Sequence, residues 1–469
     1  MLFASPLFLF IFLPAFMIMF FVSGRYRDYV LLAGSLIFYV WGEPIFCFIA
    51  ICSAIFDYKI GDLICRSAIS SRKAKLYLAV GIIANIAILF YYKYTNFFIA
   101  TLSSLTPNNK FHFNTLQILL PIGVSFIVFE KITYIVDLYR RVGEPAKNLL
   151  SYLNYVFLFP KLLAGPIIKY HEIDKQFRER TLNAENFFEG FKRFLRGLIK
   201  KVFIADTCAE IADQVFALQG ADLGFGYAWL GMLCFTLQIY FDFSGYSDMA
   251  LGLARLLGFE LKENFNLPYI ATSFTDFWRR WHISLSTWIK EYLYIPLGGN
   301  QGSKTRVYFN LWICFLLSGL WHGASWTFVL WGAYHGLFLI LDKLFWLNKT
   351  KKLPYFFRAS VTLILVMFGW VIFRSKDFNQ VIIYLQKLIS PLDHGAAYID
   401  ITNNIWFMIV IGSMISIAAM LPGYDKLNKY YLSFRYRLSL ESLFFAALGL
   451  LAICKVVGMT YHPFLYFRF

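Results

Sequence analysis

Long apolar runs, separated by short polar stretches that are mostly basic, recur along this 469-residue chain. The first, Pro6–Val22, is followed by Arg25 and Arg27. It has no basic leader and no small-residue cleavage site, so it reads as a retained span and not as a signal peptide. Val30–Val40 and Ile45–Phe56 flank Trp-Gly-Glu-Pro, where Pro44 predicts a tight turn or a break between two short helices. A basic stretch (Lys59, Arg66, Arg72, Lys73, Lys75) leads into the run Leu76–Tyr92. Leu116–Tyr139, Phe225–Phe241, Ala359–Phe373, Ile405–Leu421 and Leu443–Val457 are further runs of this kind. A helix that crosses a bilayer needs about 20 mostly apolar residues. The pattern therefore predicts an all-α polytopic membrane protein of about ten or eleven spans, with no soluble domain.

Two stretches break the pattern. Ser151–Ile168 is apolar but interrupted by Pro160, Lys161, Gly165 and Pro166. Broken backbone at membrane depth is tolerated inside protein or along a cavity, so this reads as a re-entrant hairpin, with a kinked span as the alternative. Phe187–Phe203 is amphipathic, with Lys192, Arg193, Arg196 and Lys200 on one face, and predicts a helix lying in the interface.

Composition agrees with a membrane setting: 59% of residues are hydrophobic and 15% charged, against about 25% charged in soluble domains. Mean hydropathy is +0.58. The 44 Lys and Arg exceed the 28 Asp and Glu by 16. In a membrane protein that surplus belongs to cytoplasmic loops and anionic lipid headgroups, and nucleic acid is not an expected partner. If the N-terminus is outside, Arg25/Arg27, Lys59–Lys75 and Arg140/Arg141 all face the cytoplasm, and the sparsely charged loop Thr101–Asn114 faces out. The seven cysteines form no C-x-x-C pair, and no metal cluster is expected.

Candidate chemistry concentrates between Phe274 and Gly336. Three of the seven histidines lie there (His282, His322, His335), with Trp278, Trp281, Trp288, Trp312, Trp321, Trp326 and Trp331. Ionisable groups at membrane depth are costly and point to function. His322 sits in LLSGLWHGASW, between Gly319 and Gly323, where a neutral imidazole could take a proton from a hydroxyl. A core histidine held by one hydrogen bond reads the same way. His282 follows Asp276, Trp278, Arg279 and Arg280 in DFWRRWH, which suits an anion pocket or an interfacial helix meeting lipid phosphates. His335 lies thirteen residues after His322, about 20 Å along a continuous helix. The two could share an atom only if the chain breaks near Gly323, so His335 is read as supporting. Asp242 and Asp248 could do acid–base work or belong to a structural network with serines and arginines. His394 and His462 have no chemical company. No phosphate loop, G-x-S-x-G or HExxH is present. Spacing alone stops at a membrane enzyme or transporter with a buried histidine.

Several ordered blocks carry a resemblance. They are LPIGVSFIVFEKITYIVDLYR up to Arg140, FPKLLAGPIIKYHEI (159–173), IKKVFIADT (199–207), YFDFSGYSDMALGL (240–253), ENFNLPYI (263–270), FWRRWHISLSTWIKEYLYIPLGGN (277–300) and LSGLWHGASWTFVLWGAYHG (317–336). Together they resemble the membrane-bound O-acyltransferase family, in its bacterial alginate-acetylating branch. The resemblance implies a multi-helix core around a central tunnel, in one integral-membrane domain: peripheral helices over 1–110, core over 111–345, further helices over 346–469. It makes His322, by its place in WHG, the catalytic residue. It makes His282, Asp276, Trp278, Arg279, Arg280, Trp321 and His335 tunnel-lining or supporting. It implies acetyl-CoA as donor substrate, no bound cofactor, and a separate extracytoplasmic SGNH-type acetyltransferase as partner. The expected activity is O-acetylation of an exported or cell-wall glycan of alginate, cellulose or peptidoglycan type, from the bacterial inner membrane. D-alanyl transfer to teichoic acid, which shares the WHG element, is the rival enzyme reading. Transport of a lipid-linked sugar without chemistry is the rival from another class.

Overall fold

Among the described residues, six helices are long and apolar enough to cross a membrane: Pro44–Arg66, Arg72–Leu105, Trp326–Lys349, Tyr355–Arg374, Asn403–Met420 and Arg437–Gly458. Phe8–Val22 is a shorter apolar helix. The protein is multi-pass and, among the described residues, every regular element is helical. The structure is a computed structural model that describes residues 1–105, 116–434, 437–458 and 464–465. It divides into two units, 1–194 with 249–262, and 195–248 with 263–469.

The first unit opens with α1 (Phe8–Val22), α2 (Arg27–Val40), α3 (Pro44–Arg66) and α4 (Arg72–Leu105). Pro44 does start a helix, as its fixed φ favours. That helix is not short, however. It runs 23 residues to Arg66, because Ile60, Gly61 and Ile64 continue its buried stripe. Lys59 and Arg66 therefore belong to a span and not to a loop. Likewise Thr101–Leu105 extends α4, and the rest of the expected outer loop lies outside the described residues, as does His462.

Next come α5 (Val124–Arg140), α6 (Leu149–Phe157), α7 (Phe159–Leu162) and α8 (Tyr170–Arg178). The stretch 151–168 is thus helix, break, four-residue helix and extended chain, and no piece is long enough to cross a bilayer. Its lysine has a purpose: Lys161 pairs with Glu130 of α5 with both side chains buried. Beside it, Lys131 lies 3.1 Å from Asp57, whose carboxylate also accepts from Asn85 at 2.9 Å. Buried charges persist only when paired and hydrogen-bonded, so these contacts fix α3, α4, α5 and α7 in register.

Helix α9 (Ala184–Ile199) leads into the second unit, which holds α10 (Asp206–Ala217) and most of α11 (Phe225–Leu256). The two acids of α11 are structural. Asp248 pairs with Lys200 at 2.7 Å and Arg196 at 3.5 Å, and Asp242 lies 2.8 Å from Lys201. Lys201 also meets Asp206 at 2.6 Å. Two glycines of α11 allow close backbone approach. A Cβ on Gly245 would sit 2.9 Å from the Gly197 carbonyl oxygen, and one on Gly252 would sit 2.6 Å from that of Gly190. Lys201→Met would remove the cation that the buried carboxylates of Asp206 and Asp242 share. It is expected to cost about 3–5 kcal/mol, read as a lower melting temperature in detergent, and Lys201→Arg should recover part of it.

Candidate active site

The site is built in the second unit from α12 (Phe274–Arg280), α13 (Ile283–Ile289), α14 (Lys304–His322) and α15 (Trp326–Leu341). Helices α14 and α15 form an antiparallel hairpin whose crossing depends on glycines. A Cβ on Gly319 would lie 2.2 Å from the Phe328 carbonyl oxygen, and one on Gly332 would lie 2.3 Å from that of Phe315. Gly323 ends α14 in an extended conformation, and its missing Cβ is where the Phe328 ring sits, at 2.1 Å. The WHG element thus ends a helix on its histidine and turns the chain at once.

His322 is buried as the last residue of α14. Its ring is enclosed by Trp321 at 4.9 Å, Trp331 at 5.0 Å and Phe373 at 5.5 Å between centroids. The chain does break at Gly323, but this does not bring His335 to His322. The Trp331 ring touches both, at 5.0 and 4.7 Å. His335 is buried and its Nδ1 accepts from Trp278 Nε1 at 3.3 Å, which leaves the ring proton on Nε2. Its place is in the packing behind His322.

The WRRWH block is not one helix. Ser273 caps α12 by accepting from the Asp276 amide at 3.1 Å, and Asp342 accepts from the Thr275 amide at 2.7 Å. The helix stops at Arg280, and His282 takes a left-handed conformation with φ of 44°, uncommon for a non-glycine residue. That kink turns its imidazole inward. Nδ1 lies 3.3 Å from Asn264 Oδ1, and the ring sits edge-on to Phe243 at 4.6 Å and 6.2 Å from Trp321. Asn264 Oδ1 also accepts from the Ser284 amide at 3.1 Å, which identifies it as the oxygen, so His282 Nδ1 is the donor there. Burial pushes the His282 pKa down to about 3, so this imidazole is neutral. Trp321 thereby bridges His282 and His322.

Asp276 and Arg280 are spent on each other at 2.8 Å. Asp276 also accepts from the Thr272 amide at 3.2 Å, which makes it a helix-end residue. Arg279 is exposed and free of carboxylates, and with Trp278 it lines a cavity of about 500 Å³. Lys290, Lys343 and Asn300 line the same cavity, as do Leu311, Cys314, Phe315 and Ser318 of α14. Lys343 donates to Asn300 at 2.7 Å. The four α14 positions share one face at helical spacing, and His322 is the next position on it, one turn past Ser318. The distance from Leu311 to His322 along the axis is about 16 Å. Lys290, Lys343 and Ser318 were not singled out from sequence. Ser318 carried a signal in its spacing from His322, but the lysines come from separate segments that only folding brings together. Among the described residues no cluster of His, Cys, Asp and Glu could hold a metal.

Residues 144–379 match the model of MBOAT, the membrane-bound O-acyltransferase family. The chain is similar to a probable alginate O-acetylase, AlgI, of Pseudomonas syringae pv. tomato, at 47% identity over 384 residues, 81% of this chain and 73% of that protein. It is similar to a peptidoglycan O-acetyltransferase of Helicobacter pylori, at 36% identity over 83% of this chain and 80% of that one. It is also similar to a teichoic acid D-alanyltransferase of Bacillus subtilis, at 27% identity over 55% of this chain and 69% of that one.

Proposed function

The chain belongs to the membrane-bound O-acyltransferase family, and we propose that it takes an acetyl group from cytoplasmic acetyl-CoA and passes it across the inner membrane for O-acetylation of an exported or cell-wall glycan. It is an O-acyltransferase; the donor, the direction and the residues are the proposal. The observation that carries it is His322 one turn past Ser318 on the α14 face that lines a cavity, together with three cations in the same lining, Arg279, Lys290 and Lys343. Cations without carboxylate partners suit the phosphates of CoA. The apolar lining from Leu311 to Ser318 suits the arm that carries the thioester.

The charge pattern of the second unit supports a cytoplasmic mouth. Lys343, Lys349, Lys351, Lys352 and Arg358 crowd the stretch that begins at the cavity, as cytoplasmic segments do. In the first unit, Arg25/Arg27, Arg72/Lys73/Lys75 and Arg140/Arg141 support an N-terminus outside. His322 would act as general base. It takes the proton of an acceptor hydroxyl, the oxygen attacks the acetyl carbonyl carbon, and the carbon–sulfur bond breaks to release CoA thiol. Trp321 and Trp331 hold the imidazole plane and keep water away. The accepting hydroxyl would belong to the glycan, or to an extracytoplasmic SGNH-type acetyltransferase that relays the group. The names of the Pseudomonas and Helicobacter relatives support acetyl over D-alanyl transfer.

The test is transfer of label from acetyl-labelled acetyl-CoA by the protein in nanodiscs, wild type beside His322→Ala. Label leaving CoA only with His322 present supports the reading. Label that stays on CoA in both, but moves from a D-alanyl carrier protein, would replace it with the rival. In the same assay Lys290→Ala and Lys343→Ala are each expected to raise KM for acetyl-CoA about tenfold, the loss of one charge-assisted contact, with kcat little changed. An unchanged KM in both would remove the donor from this cavity.

A further inference from the structure

Serines and threonines buried in helices have a cheap way to satisfy their hydroxyl, the carbonyl four residues back. This chain uses it repeatedly in the second unit. Thr236 donates to the Met232 carbonyl at 2.7 Å, Thr362 to Arg358 at 2.8 Å, and Ser416 to Gly412 at 2.8 Å. Ser318 does not. It sits inside α14 with the Cys314 carbonyl in reach by spacing, is 3% exposed, and its Oγ has no hydrogen-bond partner. A buried hydroxyl without a partner costs about 1–3 kcal/mol. Ser318 also lines the cavity, as the α14 residue nearest His322. The hydroxyl is thus withheld from its own helix and faces the place where the proposed donor would end.

Resting on that proposed function, we infer that Ser318 Oγ binds the carbonyl oxygen of the donor's acyl thioester. As the sole polar group at the inner end of the α14 lining, it would donate a hydrogen bond to that oxygen. The acyl carbon would then be held one helical turn from the His322 imidazole. The bond strengthens as negative charge grows on the oxygen during attack, and the proton stays on Ser318 throughout. The neighbouring Cys314 thiol is no rival acyl carrier: it is a buried thiol in an apolar wall, and thioester exchange needs a thiolate.

Two CoA derivatives separate this role from packing. One is the ketone analogue of acetyl-CoA with methylene in place of sulfur, which keeps the carbonyl. The other is S-ethyl-CoA, which lacks it. Wild-type protein in nanodiscs is expected to bind the ketone about fivefold more tightly, the size of one net hydrogen bond. Ser318→Ala should bind the two alike, Ser318→Thr should keep the preference, and Ser318→Cys, close to serine in volume but a weak donor, should lose it. In the transfer assay Ser318→Ala should lower kcat by about 10²-fold, as loss of an oxyanion donor does, while the Lys290 and Lys343 variants move KM. Melting temperatures identify any variant whose fold has failed. Equal affinities in wild type, or a preference that survives in Ser318→Ala, would overturn the inference and leave the donor reading intact. Binding of neither derivative by wild type would overturn the donor reading and this inference with it.

Discussion

Replacing His322 with alanine is expected to lower acetyl transfer by about 10³-fold, the scale of a lost general base, while the protein still inserts and folds. The ring packs against Trp321, Trp331 and Phe373 at 4.9–5.5 Å between centroids, and these three rings stay in place when it is removed. What disappears is the imidazole one helical turn past Ser318 on the α14 face that lines the cavity. His282 cannot replace it, because the Trp321 ring stands between them and its Nδ1 proton is committed to Asn264. His335 cannot either, because it packs on the far side of Trp331. Label transfer from acetyl-CoA and a melting curve would be measured on the same preparation. Transfer within tenfold of wild type in a folded His322→Ala protein would remove the histidine from the chemistry.

An effect of similar size is expected from a residue that touches no substrate. In Gly332→Val the new Cβ would lie 2.3 Å from the Phe315 carbonyl oxygen and 3.1 Å from the Leu316 Cα. Both are backbone atoms of α14, so no side chain can move aside and the hairpin must open. Opening it shifts His322 relative to the cavity, and a displacement of about 1 Å can cost 10²-fold in rate. Overpacking of this kind also costs about 1–3 kcal/mol or more in stability. The variant should therefore show both a lower melting temperature and at least a 10²-fold loss of transfer. Gly226→Ala, in the same unit but with open space around the glycine, is the control expected to match wild type. Wild-type rate and melting in Gly332→Val would mean that the hairpin crossing does not set the site.

The same contrast between local and distant causes separates what could be read from sequence. Apolar length and its breaks are properties of contiguous residues, so the all-helical membrane class and the interrupted stretch around Pro160 were legible. So was membership of the family, through the blocks shared with it. The end of the Pro44 helix was misread, because a lysine in a long apolar run looks like a loop until its neighbours Ile60 and Ile64 are seen buried. The particular partners of the charged residues were not legible. Arg279 and Arg280 are adjacent, yet one lines the cavity and the other is spent on Asp276. Asp242 and Asp248 read either as an acid–base pair or as part of a structural network; the structure gives the network, with Lys201 and Lys200 as partners that sequence did not name. Lys290 and Lys343 share a cavity although they are far apart in the chain. The sequence by itself determined that the chain is an all-helical multi-pass protein, because apolar length is a property of each segment alone. Only the tertiary structure decided which charges and hydroxyls stay free for a ligand, because a polar group's energy depends on the partner brought to it from elsewhere in the chain.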